Sequence, residues 1–187
     1  MPQKLSVSKG DLLISEPYLP DPNFERTVIL ICDHNEEGSI GFVLNKPSLL
    51  KLEDVLDEVQ GFDTILYTGG PVQQNTLHFI HKTKGLFSDY RVVKEGLYWG
   101  GNFDELLSFI NIRKINPDDF RFFIGYSGWG PEQLESEIKE NSWIIYKNAT
   151  PEQVFGLSPD NLWRSVLKSM GGEYRVISNY PIDPRLN

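Results

Sequence analysis

The sequence predicts an α+β fold, a single domain built on a mostly antiparallel sheet. Three observations lead there. Strand-like and helix-like periodicities are mixed along the chain without the strict βα alternation of a doubly wound sheet. An early hairpin at 26–47 (RTVILICDHNEEGSIGFVLNKP) joins two apolar strands through a short acidic turn. The 187 residues, free of repeats, low-complexity segments and linkers, fit one core rather than two. One domain is therefore expected over 1–187, with extended or loosely ordered ends at 1–9 and 173–187.

In order, residues 10–15 (GDLLIS) read as a short buried strand stopped by Glu16-Pro17. Pro17, Pro20 and Pro22 make the next segment a stiff extended loop. Residues 26–33 are nearly all apolar or β-branched, the pattern of a strand covered on both faces. Asn35-Glu36-Glu37-Gly38 supplies the hairpin loop and 39–44 the return strand, which Pro47 ends. Leu52, Val55, Leu56 and Val59 recur as one helix face, closed by Gly61. Strands follow at 64–68, running into Gly69-Gly70-Pro71, and at 76–81. Residues 82–101 are glycine-rich and poorly patterned, which predicts a long loop with short strand pieces.

Asn102 caps a helix to about Ile112, with Glu105 placed for a capping box. Residues 120–126 (FRFFIGY) form a strand. Pro131 opens a helix, with Glu132 and Glu135 near the positive end of its dipole. Residues 143–146 form another strand. Ser158-Pro159 start the last helix, whose apolar face is Leu162, Val166, Leu167 and Met170, and Gly171-Gly172 end it. The tail beyond, with Pro181 and Pro184, is expected to be extended.

The 18 Lys plus Arg against 26 Asp plus Glu leave a formal charge of −8, which opposes phosphate backbones and anionic membranes. No basic run offsets it, so neither direct DNA binding nor membrane attachment is expected. A single cysteine excludes an internal disulfide and a cysteine-based metal cage. No apolar run approaches the roughly 20 residues of a spanning helix, and the first ten residues lack the apolar region of a signal peptide. A cytoplasmic location is the expectation.

Four constellations could carry chemistry. Cys32 and His34 lie two apart on a strand and would share a face with Arg26, so a nearby cation could lower the thiol pKa; the alternative is an inert core cysteine. Gly125-Tyr126-Ser127-Gly128-Trp129-Gly130-Pro131 approximates a nucleophile elbow at Ser127, but Trp129 stands where G-x-S-x-G needs glycine. An anion or ligand seat, or a tight turn packing Trp129, are the other readings. Gly69-Gly70 permits close backbone approach to a strand or a ligand, without a P-loop lysine. His78 and His81, three apart on a strand, face opposite ways and cannot share a metal. Neither a metal nor a cofactor is expected.

Taken together, GDLLISEPYLPD, Phe24-x-Arg26-Thr27-Val28, CDHNEEGSIGFVLNKP, GGPV at 69–72, GYSGWGPEQLESEI from Gly125, and Trp143 resemble the AlgH/YqgE family of bacterial proteins over nearly the whole sequence. The resemblance implies one α+β domain whose bent, branching sheet forms a pseudo-barrel flanked by helices. The family is often labelled a transcriptional regulator, and the resemblance carries over no catalytic residue. Its signature positions here are Arg26, Asn45, Gly69, Gly70, Gly125, Trp129, Gln133 and Glu137. The sequence ranks first a non-catalytic regulatory or interaction module acting through a protein partner. The alternative is a small-ligand or anion-binding protein, with catalysis left open, whose seat is formed by Arg26, Asn45, Gly69, Gly70, Tyr126, Trp129 and Gln133. Thiol chemistry at Cys32, supported by His34, ranks third.

Overall fold

The computed structural model describes residues 6–147, 149–156, 158–183 and 185. Ten strands run β1 (Leu12–Ser15), β2 (Val28–Asn35), β3 (Gly38–Val43), β4 (Pro47–Lys51), β5 (Ile65–Thr68), β6 (Val72–His81), β7 (Arg91–Lys94), β8 (Leu97–Trp99), β9 (Phe120–Trp129) and β10 (Trp143–Tyr146). Five helices accompany them: α1 (Phe103–Asn111), α2 (Gln133–Lys139), α3 (Pro151–Phe155), α4 (Pro159–Met170) and α5 (Gly172–Ile177).

The architecture branches at β9. One edge of this long strand pairs with β6, from Phe120 to Tyr126. Its other edge takes β5 in parallel at 122–124 and then β3 antiparallel at 127–129. The main order is β10-β1-β2-β3-β9-β6-β8-β7, with β4 attached to β5. Every pair except β5–β9 is antiparallel, as the early hairpin predicts. The sheet does not close, yet it curls until β7 comes within reach of β2. There Arg91 approaches Asp33 at 3.7 Å, and Lys9 Nζ donates to the Val92 carbonyl at 3.5 Å.

Strands covered on both faces divide the interior into three cores. Val28, Leu30 and Cys32 of β2 point into the curl, where Leu162, Trp163, Val166 and Leu167 of α4 join Phe42 and Phe123. Ile29 and Ile31 point the other way, under Leu134 of α2 with Trp129 and Trp143. Phe122 of β9, beside Phe123 but on the opposite face, meets Phe79, Phe120 and Leu106 of α1. This alternation explains why the strands read as continuous apolar runs.

Several elements depart from the sequence reading. The 52–59 stretch forms only a 3₁₀ turn, Leu52–Asp54, followed by single backbone bonds from Leu56 N to the Leu52 carbonyl and from Val59 N to the Leu56 carbonyl, with Leu52 N held by the Thr64 carbonyl. Leu52 and Val59 are buried, but Val55 faces solvent. Pro47 does not merely end β3; it begins β4 opposite Tyr67. Asn102 caps α1 through the Glu105 amide, but the Glu105 carboxylate leaves the cap to accept from Ser88 N and Oγ. Helix α2 starts at Gln133 rather than at Pro131, since Glu132 adopts a left-handed φ of 60°. The tail is not wholly extended: α5 follows the Gly171 break and packs Tyr174 and Ile177 on the first core. Helix α3 is missing from the sequence reading, although Thr150-Pro151-Glu152-Gln153 carries a complete capping box. Residues 1–5, 184, 186 and 187 of the expected loose ends lie outside the described residues. Among the described residues no helix is long and apolar enough to cross a membrane.

Candidate functional site

The residues singled out by sequence fall into three joints. At the first, Asn45 clamps the start of β2: its Oδ1 accepts from Val28 N at 2.9 Å and its Nδ2 donates to the Arg26 carbonyl at 2.8 Å. Arg26, with a left-handed φ of 47°, sends its guanidinium over the Trp163 ring and donates to the carbonyls of Tyr180 and Pro181. It binds the C-terminal segment to the first core.

The second joint is where β5 leaves β9. A Cβ on Gly70 would lie 2.3 Å from the Tyr126 carbonyl group, and one on Gly125 would lie 2.8 Å from the carbonyl oxygens of Gly70 and Val72. Both have positive φ, so only glycine fits two backbones this close. Ser127 is fully buried and donates to the Gly69 carbonyl at 3.0 Å, which uses its hydroxyl structurally. Tyr126 packs edge-on against His78.

The third joint is centred on the Glu137 carboxylate of α2. It accepts from Trp143 Nε1 at 2.7 Å, Trp129 Nε1 at 2.9 Å and Gln133 Nε2 at 2.9 Å. Gln133 Oε1 in turn accepts from Gly130 N, and Phe24 stacks on Trp129. Trp129 and Gln133 therefore sit together, apart from the Arg26–Asn45 clamp.

Cys32 and His34 do not share a face. A β-bulge between Ile31 and Asp33 shifts the register, so two-residue spacing no longer means a common side. Cys32 is only 2% exposed in the first core, and burial, with Asp33 adding to it, pushes its thiol up so that it stays protonated. His34 instead meets Ser39 Oγ at 2.8 Å and Glu135 at 3.6 Å. His78 and His81 do face opposite ways, toward the first core and the second. Among the described residues no three His, Cys, Asp or Glu side chains gather as a metal ion needs.

A large cleft lies elsewhere, between β5, the start of β9 and α3, with a volume of about 560 Å³. On its floor is Arg121, 7% exposed. The guanidinium stacks over Tyr67 at 4.6 Å and donates to the Leu44 carbonyl at 3.1 Å and, weakly, to that of Phe155 at 3.5 Å. It makes no ion pair with any carboxylate among the described residues. Burial lowers its pKa from the ordinary value and Tyr67 raises it, but arginine remains a cation at neutral pH. A buried cation facing only neutral carbonyls is electrostatically incomplete. Phe120, Phe155, Pro117 and Ile65 give the cleft apolar walls, and Lys82, held by Asp119 at 2.9 Å, stands at its side.

Sequence reasoning missed Arg121. The signal was present, a lone cation inside the apolar run FRFFIGY of a predicted strand. The residues that join it there, from Leu44 to Phe155, are far apart in the sequence and carry no motif.

The sequence pattern described as AlgH-like matches residues 12–175. A UPF0301 protein of Cytophaga hutchinsonii is 48% identical over 182 residues, covering 97% of this chain and 100% of that one. Another from Chlorobium limicola is 44% identical over 181 residues, covering 95% of each. The solution structure of the AlgH protein from Pseudomonas aeruginosa superposes with a TM-score of 0.75 at 28% identity, over 97% of this chain and 96% of that one. A crystal structure from Corynebacterium diphtheriae, 23% identical with a TM-score of 0.75 over 94% and 93% of the two proteins, shares the fold. On its sequence and on its branched open sheet, this chain belongs to the AlgH-like family.

Proposed function

We propose that the protein is a non-catalytic binding module that seats a small anion-bearing ligand in the cleft over Arg121. The observation that carries this reading is the buried guanidinium, without a counterion among the described residues, on the floor of a cleft of about 560 Å³. An anion entering there would gain a charge-assisted, water-shielded contact that the protein does not supply itself. The absence of catalysis is supported by how the reactive groups are used: the Ser127 hydroxyl is spent on Gly69, and the Cys32 thiol is buried.

Titration with benzoate, followed by backbone amide shifts, tests the reading. Saturable shifts are expected at Thr64 to Tyr67, at Phe120 and Arg121, and at Glu152 to Gly156, and they should vanish in Arg121→Met. A titration that moves none of these amides, or moves them equally in the variant, refutes it.

A protein-interaction role is a second reading, favoured by one feature beside the cleft. Leu49, Leu50, Val55 and Ile65 are exposed around the β4–β5 hairpin, Leu49 completely. Ile65 also lines the cleft, so ligand and partner could be sensed together. A photo-crosslinking residue at position 49 should give one recurrent adduct in the native host; a smear of unrelated adducts removes this reading.

A further inference from the structure

We propose that the ligand of the Arg121 cleft is a zwitterion, a carboxylate on an apolar body with a cationic group several ångströms away, as at the C-terminal end of a peptide. This rests on the cleft being a binding site. The inference comes from how charge is layered from floor to rim. The floor carries Arg121, stacked on Tyr67, whose planar guanidinium suits a carboxylate. The middle is apolar, formed by Phe120, Phe155 and Pro117. The rim is acidic, with Asp63, Asp118 and Glu152 lining the opening and all three exposed.

These rim acids are not equally available. Asp63 is held by Lys51 at 2.9 Å, whereas Asp118 and Glu152 are in no ion pair among the described residues, Glu152 being hydrogen-bonded by its own backbone and by Thr150 and attracted by Lys82 from a distance. Lys82, the other cation of the cleft, is held by Asp119 at 2.9 Å. One cation without a carboxylate partner thus lies beneath two carboxylates that are in no ion pair among the described residues. A phosphate or polyanion reaching Arg121 must pass the acids, which repel it more strongly with each added negative charge. A monocarboxylate carrying its own cation satisfies both layers at once. The volume of about 560 Å³ holds a residue or two of peptide, not a folded partner.

Four probes separate the outcomes, read by calorimetry on the full-length protein and by the amide shift of Arg121. They are 4-phenylbutyrate, the dipeptide Arg-Phe, Arg-Phe amide, and inorganic phosphate. Arg-Phe should bind at least tenfold more tightly than 4-phenylbutyrate, while its amide and phosphate should not bind measurably. Asp118→Asn with Glu152→Gln should bring Arg-Phe down to the affinity of 4-phenylbutyrate and leave the latter unchanged or improved. An acetylated pentapeptide ending in Arg-Phe that outbinds the dipeptide identifies the C-terminal end of a polypeptide as the source; the reverse identifies a free amino-acid-like metabolite. If 4-phenylbutyrate binds at Arg121 but Arg-Phe gains nothing, the zwitterion is refuted and the anion site stands. If neither carboxylate moves Arg121, the site itself is refuted. Tight phosphate binding overturns the charge argument directly.

Discussion

The Glu137 joint and the Arg121 cleft are opposite solutions to the same problem, a charged side chain drawn into an apolar setting. Glu137 is met by three side-chain donors from Trp129, Trp143 and Gln133, all within 2.9 Å. Arg121, more deeply buried, has two carbonyls and an aromatic ring but no opposite charge among the described residues. The first region is electrostatically complete and holds α2 and β10 to the sheet. The second is incomplete and open to solvent on one side. The difference separates a structural signature from a candidate site: family-signature residues here mostly close the fold, while the open charge lies outside the signature.

Breaking the completed region should have the largest effect. Glu137→Ala strands two indole N–H groups and Gln133, and is expected to reduce stability by about 3 kcal/mol in denaturant unfolding. Glu137→Gln, which still accepts hydrogen bonds, should lose clearly less. An equal loss in both variants would mean that the carboxylate charge, rather than the donor set, matters.

His81 sits between the two cases and sharpens the comparison through pH. Its Nε2 is 3.0 Å from the Gly100 carbonyl, while Nδ1, among surrounding phenylalanines, has no partner of good hydrogen-bond geometry among the described residues, the Thr83 carbonyl being the acceptor nearby. Burial lowers its pKa from the ordinary 6.5, against the pull of the Gly100 and Thr83 carbonyls, and burial lowers that of His78 as well. With folded pKa values below the unfolded one, the unfolded chain takes up protons first as pH falls. Stability should therefore decline as pH falls through the ordinary histidine value of about 6.5 and below, and be insensitive to these two groups well above it. His81→Phe should flatten part of that decline; an unchanged slope would assign it to other groups.

The smallest stability effect is expected at the incomplete region. Arg121→Met removes a buried charge along with its two carbonyl contacts, so the two effects oppose and stability should change by less than about 1 kcal/mol. The same substitution should abolish benzoate binding. A loss as large as that of Glu137→Ala would make Arg121 a structural clamp and erase the contrast.

Much of this fold is legible in the sequence. The apolar run at 28–31 announces a strand covered on both faces and that at 120–124 a second strand, and the Asn35–Gly38 loop sets the pairing of β2 with β3, with Glu37 N held by Asn35 Oδ1 at 2.8 Å. Gly69-Gly70 and Gly125 announce close backbone approach, and the structure shows that each fits against the other. Helix α1 and its cap are equally plain. These features depend on local periodicity and on sterics within a few residues, which sequence carries directly.

The rest required three dimensions. The bulge at Ile31–Asp33 turns Cys32 and His34 to different faces, a reversal that period-two reasoning cannot anticipate. Residues 52–59 have helical spacing, but they serve as the connection between β4 and β5 and complete only a single 3₁₀ turn. That Glu137 gathers two tryptophans, and that Arg121 gathers none of the acids, follows from which strands β9 pairs with along its two edges. Sequence by itself determined the fold class, the family and the turns where only glycine fits. Only the tertiary structure decided which charges are paired, because pairing depends on distances between remote segments, such as Leu44 and Arg121, 77 residues apart.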